Sequence, residues 1–174
     1  MENNNLKSGI TMIILVVTIV VAIILLLTVT VAAKNIYDNT VKSNFATDMT
    51  LLEDAVKTYY QANNILPTKD QNTSMSELDV VALINDINPQ VEFSNELELN
   101  GDRVKDGTKD NEVKFYELDL SMIEAENITK GTKETPDDVY VIAYPSMHVY
   151  YVKGIEVKDE YYFSLSSKLT TRAN

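Results

Sequence analysis

One long apolar run near the amino end constrains the fold of this chain more than any other feature. It extends from Ile10 to Ala33 without a charge, a glycine or a proline. As a helix rising 1.5 Å per residue, it would be about 36 Å long, which exceeds the roughly 30 Å of a bilayer's hydrocarbon core. Its few threonines can bond back to carbonyls one turn earlier, so they do not argue against a span. The run therefore predicts a transmembrane helix over residues 10–33.

Two other interpretations of the run stay open. The apolar core of a secretory signal is usually about 7–15 residues long, so this run is too long for an ordinary one. Even so, Val31-Ala32-Ala33 could serve as a signal-peptidase site. A plain one-pass anchor is the second alternative. In the transmembrane interpretations the amino terminus is expected to stay in the cytoplasm, because residues 1–9 are short and polar.

A helical pattern continues after the run. Residues 34–64 contain no glycine and no proline. Their apolar side chains recur in steps of four and three, which marks one stripe of an amphipathic helix: Tyr37, Val41, Phe45, Met49, Leu52, Val56 and Tyr59. Helix breakers first appear at Asn63-Asn64 and Pro67. We therefore predict one helix from about Ile10 to about Ala62, on the order of 80 Å long.

The other face of this amphipathic half is predicted to be polar and solvated. It holds Asn39, Lys42, Asn44, Asp48, Asp54, Lys57 and Gln61. A stripe on an extracellular helix needs a partner that buries it, and the rest of the chain has to supply that partner.

Residues 65–174 are predicted to form a small α+β head. Ser74-Met75-Ser76-Glu77 resembles a capping box that opens a short helix ending before Asn88-Pro89. The apolar side of this helix is predicted to hold Leu78, Val81, Ala82, Leu83 and Ile84. Strand patterns follow at residues 91–99 (weakly), 113–120, 138–144, 148–152 and 160–165, with turns at Pro145-Ser146-Met147 and Lys158-Asp159.

The helix and the strands each have an apolar face that must be buried. An antiparallel meander has one face to bury, and so does the amphipathic half of the long helix. The predicted fold is therefore α+β, with a long amino-terminal helix packed on a small antiparallel sheet. The predicted packing residues are Tyr37, Val41, Phe45, Leu52 and Val56.

The composition excludes several classes of function. Without cysteine, the chain has no disulfides, no thiolate metal sites and no cysteine nucleophile. Its net charge of −11 repels phosphate backbones, so nucleic-acid binding is not expected. The single histidine, His148, lies among tyrosines in a predicted strand, where a structural role is favoured over general-base chemistry. We predict no enzymatic activity, no cofactor and no catalytic or metal-ligating residues.

Polar loops interrupt the predicted strands. In residues 100–112 the alternate positions Asp106, Thr108, Asp110 and Glu112 could gather oxygens around calcium. The segment lacks the length and full ligand series of an EF-hand loop, and lysines intrude, so a solvated hairpin loop is the favoured interpretation. Residues 123–136 are predicted to form a second exposed loop.

The junction at the start of the helix resembles that of type IV pilins and pseudopilins. The matching stretch is KSGITMIILVVTIVVAIILL, which follows a short polar leader. The resemblance implies that residues 1–9 are a leader, which a prepilin peptidase removes by cutting between Gly9 and Ile10. It also implies that the new amino group of Ile10 is methylated. Glycine suits such a site because a protease must approach the backbone closely.

The resemblance also implies a function. The chain would be a structural subunit of a type IV pilus-like filament or of a secretion or competence pseudopilus, with other pilin subunits, the peptidase and the membrane as partners. It would cross the membrane once, with its head extracellular or periplasmic, and after assembly it would lie in a cell-surface filament. Thr11 and Ile14 are the implied assembly positions. Ile14 replaces the family's usual glutamate, which favours a minor or tip subunit. The alternative is a membrane-anchored extracellular binding domain.

Overall fold

The computed structural model describes residues 3–87, 93–103, 113–123, 128 and 138–166, with the side chains of the first helix described at 14–25 and 33–63. The chain divides into two compact units, Met1–Thr40 and Val41–Asn174. The helices are α1 (Asn3–Asn63), α2 (Glu77–Ile87) and α3 (Phe93–Asn100), with a short 3-10 turn at Leu120–Met122. The strands are β1 (Lys114–Glu117), β2 (Tyr140–Tyr144), β3 (Val149–Val157) and β4 (Glu160–Ser164). The described residues are therefore α+β, as predicted.

Helix α1 begins earlier than its sequence pattern predicts. It starts at Asn3 rather than at about Ile10, so Gly9 lies inside it. A single glycine costs a helix only about 1 kcal/mol relative to alanine, and no proline stands nearby to break it. The helix ends at Asn63, next to the predicted Ala62, and Asn64 follows with a left-handed φ of 56°. An asparagine tolerates that conformation, which explains the position of the stop.

The four strands form one antiparallel sheet in the order β1-β2-β3-β4. Both predicted turns are present. The β2–β3 turn contains the cis Tyr144-Pro145 bond, and Lys158-Asp159 connects β3 to β4 with φ values of 56° and 62°. Two successive positive φ angles are what a two-residue hairpin requires, because their twist matches that of the strands.

Both faces of the sheet are buried, whereas one buried face was predicted. Side chains alternate along β2, so Tyr140 and Ile142 lie in a core with α1 while Val141 and Ala143 lie in a second core. The second core is formed with α2 and α3 and contains Val80, Ile84, Phe93, Leu97, Phe115, Tyr150, Val152 and Phe163. The sheet is therefore the middle layer of the head.

Several local predictions are wrong. Residues 93–100 form helix α3 rather than part of a strand. Phe93 and Leu97 are four positions apart, so a helix places both on one face, and both are buried. Helix α2 is capped by Ser76 and Asp79 rather than by Ser74 and Glu77.

Burial also departs from the predicted pattern outside the strands. Leu78, predicted on the apolar side of α2, is 79% exposed, while Val80 and Ile84 carry the packing. Ile123 and Ile128 are buried in the core with α1, although they fall in a predicted exposed loop. The polar residues around them dominated the sequence pattern, but each isoleucine still has enough apolar surface to favour burial.

Candidate functional site

The first candidate surface is the apolar part of α1 at residues 14–25. Every one of these side chains is exposed, including Ile14 at 57%. Thr18 donates a hydrogen bond from Oγ1 to the carbonyl of Leu15 at 2.8 Å, so the helix itself satisfies this hydroxyl. A large contiguous apolar surface usually marks a contact with protein or lipid.

The remaining residues of the predicted junction lie in the same helix. Gly9, Ile10 and Thr11 are helical in the backbone, and their side chains lie outside the described residues. Among the described residues, no helix combines the length and apolar character needed to cross a membrane.

The second candidate surface is the stripe that joins α1 to the sheet. Phe45, Leu52 and Val56 are buried in one core with Tyr140, Ile142, Val149 and Tyr151. The rings of Phe45 and Tyr151 have centroids 6.2 Å apart. Val41 is partly buried and packs against the same core.

Tyr37 corrects the predicted stripe at its amino end. This side chain is 69% exposed, although its spacing continues the pattern of Val41 and Phe45. Periodicity states which side chains share a helix face, but it does not state which of them are buried. The neighbouring Asp38 is only 7% exposed, so burial at this end of the helix falls on a polar residue and not on Tyr37.

The predicted polar face of α1 also needs correction. Asp48 is only 3% exposed, and Glu53 is buried as well. Glu53 accepts a hydrogen bond from the backbone N–H of Val149 at 3.4 Å and pairs with Lys57 at 3.2 Å. Lys42 donates to the hydroxyl of Tyr162 and lies 4.3 Å from the centroid of its ring. The buried arc of α1 is therefore wider than its apolar stripe.

A buried polar network on the opposite side of the head was not predicted. Asp102 follows α3 and is 1% exposed. Its Oδ2 lies 2.9 Å from Nδ1 of His148 and accepts a hydrogen bond from the Tyr150 hydroxyl at 2.6 Å. Asn100 donates to Tyr150 at 3.0 Å and to Ser164 at 2.8 Å, and Ser164 donates to Glu96 at 2.8 Å. The network ties α3 to β3 and β4.

The surroundings of Asp102 and His148 favour their charged forms. Burial alone would raise the pKa of Asp102, but hydrogen bonds from His148, Tyr150 and Ser146 hold it below its ordinary value. The hydrogen bond to Asp102 raises the pKa of His148, and the loss of solvation on burial opposes this only in part. Burial raises the pKa of Tyr150, and the charge of Asp102 raises it further. The Tyr150 hydroxyl therefore stays protonated and donates its hydrogen bond to Asp102.

The chemistry open to this network is limited. For His148 to act as a general base, a hydroxyl or water that it can activate must lie within reach of its second ring nitrogen, Nε2. Among the described residues, no hydroxyl is hydrogen-bonded to Nε2 of His148, and no three His, Asp or Glu side chains gather as a metal site would require. Residues 106–112, where a solvated loop was favoured over a calcium site, lie outside the described residues. No protein-family model, curated protein or solved structure matches the chain.

Proposed function

We propose that this chain is a prepilin-like structural subunit of a type IV pilus-like filament or of a secretion or competence pseudopilus. The observation that carries the proposal is that three features occur together in helix α1. This single helix contains the Lys7-Ser8-Gly9 junction, exposed apolar side chains at residues 14–25 and the buried stripe Phe45, Leu52 and Val56.

The exposed apolar segment supports a role in the membrane and in assembly. The described side chains at 14–25 lie within a longer apolar run that the sequence extends from Ile10 to Ala33. Lipid would cover this run before assembly, with the amino terminus in the cytoplasm and the head outside. In a filament, helices of other subunits would replace the lipid, and helix packing would hold the assembly together.

The buried stripe supports different roles for the two parts of the helix, one packing in the head and the other contacting other subunits. Because Phe45, Leu52 and Val56 are buried within the head, they are not available to neighbouring subunits. The apolar residues at 14–25 are available, and this is where we place the contacts with other subunits. Thr11 and Ile14 belong to the same amino-terminal part of the helix.

Processing by a prepilin peptidase requires the helix to open around Gly9. A protease binds an extended backbone, whereas residues 3–13 are helical. Glycine lowers the local stability of a helix by about 1 kcal/mol relative to alanine, and helix ends fray. Both effects favour opening at the junction. Cleavage after Gly9 would leave the anchor attached to the head and expose the amino group of Ile10 for methylation.

Mass spectrometry of the mature amino terminus tests the proposal. The chain from cells with an active prepilin peptidase should begin at Ile10 and carry one additional methyl group. Gly9→Leu should block the cut, because a branched side chain would lie where the backbone must approach the enzyme. Asn5→Leu places the same side chain elsewhere in the leader and should leave processing unchanged.

Two outcomes would contradict the proposal. An intact Met1 in the presence of the peptidase would favour the plain membrane-anchored binding domain. A chain that starts at Lys34 would instead indicate cleavage by an ordinary signal peptidase after Val31-Ala32-Ala33.

A further inference from the structure

The carboxyl end of α3 is held by one buried carboxylate. After the helix, Gly101 donates its N–H to the carbonyl of Glu98 at 3.1 Å, and Asp102 donates its N–H to the carbonyl of Leu97 at 2.8 Å. The side chain of Asp102 then turns into the head, where Oδ2 meets both His148 and Tyr150. His148, which precedes β3, and Tyr150, which lies on β3, therefore fix the end of α3.

His148 also faces charges on α1, on the other side of the sheet. The next residue, Val149, donates its N–H to Glu53, which pairs with Lys57. The charge of Glu53 raises the pKa of His148 and that of Lys57 lowers it, both more weakly than the hydrogen bond to Asp102. The imidazole thus contacts a carboxylate that follows α3 and is influenced more weakly by the charge of a carboxylate on α1.

We propose that Asp102, His148 and Tyr150 form a proton-controlled clamp, which holds the end of α3 most tightly while His148 carries a positive charge. Loss of that charge removes the ion pair, but a neutral imidazole protonated at Nδ1 and the Tyr150 hydroxyl can both still donate to the charged Asp102. The clamp would therefore loosen without opening fully. The clamp lies wholly within the head and does not depend on the proposed function.

The direction of the pH dependence follows from the two titrations. His148 has a raised pKa in the folded state, so its contribution is complete below its ordinary value of about 6.5 and is lost as the pH rises through the folded value. Asp102 has a lowered pKa, so its contribution is present above the ordinary value of about 3.9 and is lost as the pH falls through the folded value. The clamp should therefore be tightest between about pH 3.9 and 6.5 and weaker in alkaline solution.

Hydrogen exchange on the full chain in detergent micelles tests the clamp. Amides at residues 97–103 should lose protection between pH 6 and 9, after correction for the intrinsic exchange rate. The loss should be several-fold, as expected when one charge-assisted hydrogen bond weakens. His148→Gln keeps a donor without the charge and should remove the pH dependence, while Asp54→Asn, which neutralises an exposed carboxylate on α1, should leave it intact.

A titration of the unmodified chain provides a second test that needs no variant to fold. The chain contains one histidine, so its ring signals in an NMR spectrum belong to His148. The midpoint should lie above about 6.5. A midpoint at or below that value, or the same pH-dependent exchange in wild type and His148→Gln, would overturn the clamp.

Discussion

Leu52 and Asp54 lie two positions apart on α1 and differ in exposure. Leu52 is fully buried among residues of the sheet, while Asp54 is exposed. Asp48, which the sequence places on the polar face with Asp54, is buried instead. The two aspartates are therefore not equivalent, and only Asp54 is a suitable surface control.

Leu52→Ala should destabilise the head by about 2–5 kcal/mol, because it removes buried methyl groups and leaves a cavity between α1 and the sheet. Asp54→Ala should change the free energy of unfolding by no more than about 0.5 kcal/mol. Urea unfolding of the full chain in detergent, followed by tyrosine circular dichroism, measures both. Equal effects at the two positions would show that α1 does not depend on the sheet for its packing.

Strand β3 carries an irregularity that depends on a glycine. The register between β3 and β4 shifts between Tyr150 and Ile155, and Gly154 in this interval has a φ of 63°. A Cβ at Gly154 would lie 2.8 Å from Cε1 of Phe163, a ring buried in the second core. Such a bulge bends a strand locally, and here it brings β3 and the Phe163 ring into close contact.

A comparison of Gly154→Ala with Gly101→Ala separates the free-energy cost of backbone strain from that of steric crowding. Both glycines have a positive φ, but a Cβ at Gly101 would meet no atom within 4 Å. Gly101→Ala should cost about 1–2 kcal/mol from the left-handed backbone alone. Gly154→Ala should cost about 1–3 kcal/mol more, because the buried ring must move. Similar losses in urea unfolding would mean that Phe163 adjusts freely.

At the scale of the whole molecule, Ile14 bears on the place that the chain would take in a filament under the proposed function. The resemblance to type IV pilins implies a glutamate at this position, which pairs with the amino group of a neighbouring subunit. Ile14 is apolar and cannot make this pair, although the amino group of Ile10 could still accept a partner. An apolar side chain also avoids the roughly 3 kcal/mol cost of an unpaired charge in the bilayer. This favours a subunit that starts or tops a filament.

Copy number tests the tip assignment. We expect one or a few wild-type copies per purified filament and no initiation without the chain, as counted by quantitative mass spectrometry and by electron microscopy of a deletion strain. Ile14→Glu should either stay in the membrane or enter the shaft. If wild-type chains make up most of the shaft, the tip assignment is wrong, and helix packing alone drives assembly.

The sequence by itself determined the features that depend on neighbouring residues. The stripe from Phe45 to Val56, the helix stop near Asn64 and the Lys158-Asp159 turn were all predicted, because helix periodicity and turn chemistry are local. The filament function rests on the junction at Gly9 and stays a prediction.

Only the tertiary structure decided which polar groups are buried and how many layers the head has. Asp102 meets His148 across 46 positions, and Glu53 meets Val149 across 96. Helix α3 helps to bury a second face of the sheet, whereas one buried face was predicted. No local pattern encodes such pairs: a carboxylate is ordinarily exposed, and it becomes buried only where the folded chain brings donors that offset its lost hydration.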